Sequence, residues 1–325
     1  MKIKANYKKY VIPVIAILVL VLLIALPYFA ERSDSRYTIV LFKTILMFTI
    51  LTLSWALFSG PTGYTSLATA AFYGVGLYTA GVLGRVLPLP VMVLCGGLAS
   101  FLLAVIIGGI TLRLRGIYFA IFTLSSVELI KHVLHWYEIT IAGGRGRPVV
   151  RVPDTTVFYV LLGILVLLII TSYLLKRSKY GLALSSIGSC EEAAAHIGVN
   201  VVTLKVFTFA LSSFFMGLAG AIMATGMVYI DCFIAFDLNY SFFPTLMAIF
   251  GGMGNIVGPI IGAVVFTYLR EILITEFPYV YMFIFGTVMI LTIIYLPNGL
   301  IGLAESIRRK LLGGKHADTT CRRVN

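Results

Sequence analysis

Ser125, Glu128, Lys131, His132 and His135 fall within roughly 120° of one face if residues 116–135 form a helix. That face carries a carboxylate, an ammonium and two imidazoles, which opens proton transfer, ion pairing and metal binding to it. Metal binding is disfavoured by the spacing: no HExxH pattern occurs and an i, i+3 histidine pair is a weak signal, so no metal site is expected. No nucleophile, base and oxyanion donors cluster, so catalysis is not expected either. Helical rise sets Glu128 about 18 Å from Gly116, and it sets Arg270 and Glu271 at similar depth counted from Gly258. Charges at such depth usually pair, which predicts a Glu128–Arg270 contact between helices. Asp231 and Asp237 read as solvated external charges.

The elements that hold these groups must lie in a membrane. Of 325 residues, 60% are hydrophobic, about 195 side chains, against 25 basic and 13 acidic ones. A soluble domain carries nearer 45–50% apolar and about 25% charged residues. At roughly 20 residues per span this supplies about ten transmembrane helices and leaves no room for a soluble catalytic domain. The net charge of +12 reads as basic loops beside anionic lipid rather than as a nucleic-acid surface. Cys95, Cys190, Cys232 and Cys321 are scattered, with no CxxC or Cys/His cluster, and no cofactor is implied.

Ten candidate spans follow from the hydropathy pattern: Val11–Phe29, Thr38–Phe58, Ser66–Val86, Leu89–Leu112, Gly116–His135, Thr155–Leu175, Val201–Tyr229, Ser241–Gly252, Gly258–Ile274 and Tyr279–Leu296. The eighth is too short to cross straight and reads as broken or re-entrant, so the expected count is eight to ten. The basic residues Lys2, Lys4, Lys8 and Lys9, then Arg113, Lys176, Arg177, Lys179, Arg308, Arg309 and Lys310, place both termini in the cytoplasm. Arg145, Arg147 and Arg151 lie in an outer loop and breach that rule. The expected organisation is an all-α polytopic membrane protein: a basic tail at 1–10, one membrane domain at 11–297 with a cytoplasmic loop at 176–200, and a basic tail at 298–325.

Two glycine-interrupted segments stand out, Gly60 to Gly63 and Gly251-Gly252-Met253-Gly254. Irregular backbone at membrane depth is tolerated only inside protein or beside water, so Gly60, Gly63, Gly251, Gly252 and Gly254, with Glu128, are candidates for a translocation path. Tight turns or close helix packing explain glycines equally simply. The loop at 176–200 contains Glu191-Glu192-Ala193-Ala194-Ala195, good helix material with acidic residues at its start and Gly198 placed to cap its end. Composition leaves two readings of it open: a solvated loop helix, or a compact knob that seats in a partner.

The spacing Glu192-Ala193-Ala194-x-x-x-Gly198 resembles the EAA-type coupling loop of ABC importer permeases. Five stretches in order, 60–76, 112–124, 180–198, 217–220 and 251–263, resemble the branched-chain amino acid permease family, in its LivM-like branch. The chain departs from the family pattern at Ala68-Thr69, where Gly-His is common before Ala-Ala-Phe, and at Arg145-Gly146-Arg147-Pro148 after Gly143-Gly144. The resemblance implies a permease subunit in a bacterial inner membrane, carrying branched-chain or related amino acids. It also implies ABC ATPase subunits, a second homologous permease and a periplasmic binding protein as partners. Glu191, Glu192, Ala193, Ala194, Ala195 and Gly198 would then transmit ATP-driven motion. Consistent with an external ATPase, no G-x-x-x-x-G-K-[ST] pattern occurs; Gly313-Gly314-Lys315-His316 lacks the first glycine and the hydroxyl. The competing reading from the residues is an ion-gradient-driven carrier with Glu128 or Asp231 as its proton site, followed by an intramembrane enzyme using Glu128 and the histidines.

Overall fold

The computed structural model describes residues 36–277 except 115, 142 and 145, together with 24, 279, 280, 283, 284, 286, 287, 290, 299, 300 and 302. The expected tail 1–10, nearly all of the first span Val11–Phe29, most of Tyr279–Leu296 and most of the tail 298–325 lie outside the described residues. Each of the other eight expected spans corresponds to a helix: α1 (Arg36–Thr62), α2 (Thr69–Leu83), α3 (Leu89–Thr111), α4 (Ile117–Thr140), α5 (Asp154–Arg177), α8 (Val201–Ala224), α10 (Asn239–Gly251) and α11 (Val257–Glu276). Between them lie α6 (Lys179–Ser189), α7 (Glu191–His196) and α9 (Cys232–Ala235), and a two-stranded antiparallel ribbon in which β1 (Arg147–Pro148) pairs with β2 (Tyr229–Ile230).

Among the described residues, seven helical stretches are long and apolar enough to cross a membrane, with α9 and α10 counted as one run over Cys232–Gly251. That run is interrupted at Phe236–Leu238, as its shortness suggests. Helix α2 has only 15 residues, about 23 Å at helical rise, less than the roughly 30 Å of a hydrocarbon core. The span expected at Ser66–Val86 therefore forms only in part. Its unwound start is enclosed by protein, which removes the demand that every N–H be satisfied within a helix.

Helices α1 and α8 are the centre, with 78% and 72% of their apolar windows buried, whereas α4 is buried over only 22% and lies outermost. Around Phe209 of α8 the rings of Phe58, Phe72 and Phe119 close at centroid distances of 5.0, 5.2 and 6.1 Å, joining α1, α2, α4 and α8. Apolar attraction cannot drive helices together in lipid, so close backbone approach and interhelical hydrogen bonds must. Small residues provide it: a Cβ on Gly76 of α2 would collide with the Gly217 backbone of α8, and one on Gly217 would strike Ser100 and the Gly96 carbonyl of α3. Ser100 Oγ donates to the Phe72 carbonyl across the same contact, at 2.8 Å. At the other side of the molecule Gly251, Gly258 and Gly262 bring α10 and α11 into backbone contact in the same way.

These contacts predict a sharp contrast. Gly76→Val forces apart a contact with no slack, a cost of about 1–3 kcal/mol or more from overpacking, whereas a Cβ on Gly109 meets nothing within 4 Å. Fluorescence-detected size-exclusion of the two variants is expected to show loss of the monodisperse peak for Gly76→Val and its retention for Gly109→Ala.

Candidate functional site

The loop between α5 and α8 folds as two helices at one end of the bundle. Ser178 accepts a hydrogen bond from Gly181 N at 3.3 Å and caps α6. Helix α7 ends in a Schellman turn: Gly198 N donates to the Ala195 carbonyl at 3.0 Å and Val199 N to the Ala194 carbonyl at 3.1 Å, with Gly198 at φ +88°. The capping role assigned to Gly198 from its spacing is thus the geometry it adopts. A Cβ on Gly188 of α6 would collide with the Pro61 carbonyl, so α6 rests directly on the last turn of α1.

The six residues marked for coupling divide into two faces. Ala194 is buried against Ile187 and Val201, while Glu192, Ala193, Ala195 and Gly198 are exposed. Glu191 points into the chain. Its Oε1 accepts from Lys205 Nζ at 2.9 Å and its Oε2 from the Tyr64 hydroxyl at 2.6 Å. Lys205 Nζ also donates to the Tyr64 hydroxyl at 3.2 Å and to the Leu112 carbonyl at 3.3 Å, and it lies 4.4 Å from the Tyr64 ring centroid. Only 1% of the Lys205 side chain is exposed. One buried ammonium therefore fastens α7 to the end of α3, the start of α8 and the segment after α1. Sequence reading missed Lys205 and Tyr64. A lone lysine five residues into an apolar span was the available signal, because a charge there requires a partner.

The segment 63–68 is the irregular backbone suspected from Gly60 and Gly63. Its polar groups are satisfied from three directions: Trp55 Nε1 donates to the Ser66 carbonyl at 2.7 Å, Leu67 N donates to Thr123 Oγ1 at 3.1 Å, and at the start of α2 Ala70 N donates to Ser241 Oγ at 3.0 Å. Beside it a cavity of about 530 Å³ is lined by Gly60, Gly63, Lys176, Gly188, Met253 and Gly254, among others. Lys176 Nζ donates across it to the Gly254 carbonyl at 3.0 Å. Thus the two glycine segments meet, and they meet against α6. Gly251 and Gly252 sit off this cavity, buried where α10 turns into α11, and Gly252 has φ +97°.

Glu128 lies elsewhere, on the outermost helix. The predicted Glu128–Arg270 pair does not form. Glu128 pairs within α4, with Lys131 at 2.6 Å and His132 at 3.7 Å, and Arg270 stacks over Phe48 and Phe243 at 5.8 and 5.0 Å. Depth along a helix fixed neither partner's rotation about its axis.

Residues 37–293 match the family model described as the branched-chain amino acid transport system / permease component. The chain belongs to this family. It is similar to the high-affinity branched-chain amino acid transport system permease protein LivM of Escherichia coli, 26% identical over 88% of this chain and 74% of the relative. The LivM protein of Salmonella typhimurium is 25% identical over the same shares. A ribose import permease protein, RbsC of Haemophilus influenzae, is 31% identical over 31% of this chain and 32% of its own length. No solved structure matches the chain significantly. The matched residues contain α1 from its second residue and all of α2 to α11, so α6, α7 and the glycine cavity all lie within the family match.

Removing one partner of a buried ion pair costs about 3–5 kcal/mol, against roughly 0–1 kcal/mol for a surface charge. Glu191→Ala is therefore expected to lower the melting temperature of the detergent-purified chain by several degrees. Glu192→Ala, one residue along and exposed, is expected to leave it within about a degree.

Proposed function

We propose that this chain is the membrane-spanning permease subunit of an ABC importer in a bacterial plasma membrane, moving branched-chain or related amino acids inward. The coupling helices α6 and α7 face the cytoplasm, as the basic clusters at Arg113 and at Lys176, Arg177 and Lys179 favour. ABC ATPase subunits hydrolyse ATP and seat the exposed face of α7, built from Glu192, Ala193 and Ala195. A second homologous permease completes the path, and a periplasmic binding protein delivers the solute.

The observation that carries this reading is the fastening of α7 through Glu191. A helix meant only to cap a loop has no need of a buried lysine. One that must pass force to membrane helices needs a stiff link to several of them, and Lys205 supplies contacts to three segments. The cavity between Gly60, Gly188 and Gly254 is the inner vestibule of the path, with α6 forming part of its wall. Movement of α6 therefore changes the cavity directly. The partial likeness to a ribose permease supports a scaffold that serves several small polar solutes, with selection made largely by the binding protein.

Co-expression with candidate ABC ATPase, second-permease and binding-protein subunits and reconstitution in liposomes tests this. The complex is expected to take up a branched-chain amino acid only when ATP is supplied on the coupling side. Ala195→Trp, on the exposed face of α7, is expected to leave the chain folded while it abolishes co-purification of the ATPase. Uptake by the chain alone, driven by an ion gradient, would contradict the proposal.

A further inference from the structure

The end of the molecule opposite the coupling helices holds a second polar cluster that transport coupling does not use. His135 and Glu138 lie three residues apart near the end of α4 and so share a face. Asp231 immediately precedes α9. One ligand atom from each of His135, Glu138 and Asp231 lies within 4.8 Å of the other two. Glu138 is 1% exposed. Its Oε2 accepts from Cys232 Sγ at 3.2 Å and from Gly146 N at 3.3 Å, which fixes the carboxylate in place.

The other side of that carboxylate is unpaired. Glu138 Oε1, His135 Nδ1 and Asp231 Oδ1 are all buried without a hydrogen-bond partner. Leaving one oxygen of each carboxylate and an imidazole nitrogen unpaired out of water costs about 1–3 kcal/mol per group, and more for the charged ones. Arg147, on the ribbon beside Gly146, makes no ion pair with Glu138 or Asp231 among the described residues, and its own Nε is unpaired.

We propose that His135, Glu138 and Asp231 form a site for one divalent transition-metal ion, with zinc the best fit. A nitrogen and two carboxylate oxygens are an ordinary zinc set, and three protein ligands leave a fourth position for water or an incoming group. Calcium would need about six to eight oxygens and magnesium about six, more than this cluster offers, and the imidazole favours the borderline metals. The two carboxylates balance the ion's charge, which leaves Arg147 to face the Tyr78 hydroxyl. Zinc bonds of about 2.0–2.2 Å place donors some 3.4 Å apart in a tetrahedron, so the side chains close by about an ångström on binding. Asp231 can give that movement because it lies between a two-residue strand and a four-residue helix. The metal would clip α4, the outermost helix, to the segment that joins α8 to α10. Among the described residues those parts are joined by the cysteine bond, a ring contact between His135 and Phe233 at 4.9 Å and a cation–ring contact of Lys131 with Phe233.

The test is metal titration of the full chain, purified in detergent and stripped with chelator. Zinc is expected to bind at one equivalent and raise the melting temperature, and Co²⁺ in its place is expected to give the visible absorption of a tetrahedral site. His135→Ala and Asp231→Asn should weaken binding at least tenfold. Asp231→Asn is isosteric and lies outside the long helices, so it remains informative if His135→Ala fails to fold. His132→Ala, one turn-neighbour away with an exposed ring, should bind zinc as the unaltered chain does. Absence of stoichiometric zinc in the unaltered chain, or equal affinity in Asp231→Asn, would overturn the site.

Discussion

A single buried ammonium organises one end of this protein. Lys205 sits where three membrane segments and α7 converge, and burial makes its charge expensive unless every donor finds an acceptor. Its acceptors are a carboxylate, a hydroxyl and a backbone carbonyl, each from a different part of the chain. Displacing α7 therefore means either carrying those segments with it or exposing an unpaired charge to an apolar interior. That constraint turns a six-residue helix, which could not hold itself together in water, into a rigid handle.

The rest of the architecture makes such a handle effective. Backbone-to-backbone contacts at Gly76, Gly217 and Gly96 give α2, α3 and α8 no room to slide independently, so a push at the start of α8 is felt by the triplet. On the other flank, α10 and α11 are locked at Gly251, Gly258 and Gly262, and their connecting turn lines the cavity that α6 also lines. The cavity is bounded by α1, α5 and the α10–α11 turn, with α6 lying across them. The opposite end is built differently: a two-residue ribbon, a one-turn helix and a buried acid–imidazole cluster rather than close glycine packing.

Hydropathy made the bundle legible. Eight expected spans each meet a helix because a long apolar run reads the same in hydropathy whether it faces lipid or protein. The same argument explains the shortfall at α2, since hydropathy cannot tell a lipid-crossing helix from one wrapped by its neighbours. The Glu-Glu-Ala-Ala-Ala run and Gly198 were readable because helix start and stop signals are local. What was not readable is pairing over distance. Tyr64, Glu191 and Lys205 span 141 residues, and Glu138 reaches Cys232 across 94. The polar face carrying His135 was legible, and Glu138 lies on the same helix, but the approach of Asp231 from the segment before α9 was not. Gly251 and Gly252, read as path candidates, are occupied with packing, while Gly60, Gly63 and Gly254 line a cavity.

In the proposed mechanism the Lys205–Glu191 link carries motion rather than merely holding the fold. The most direct measurement is the ratio of solute imported to ATP hydrolysed by the reconstituted complex when both charges are removed together, as Lys205→Met with Glu191→Leu. That pair leaves no unpaired buried charge, and apolar replacement of a buried ion pair is often neutral for stability. The account predicts that the complex assembles and hydrolyses ATP while import per ATP falls by at least tenfold. An unchanged ratio in a folded, assembled complex would contradict it.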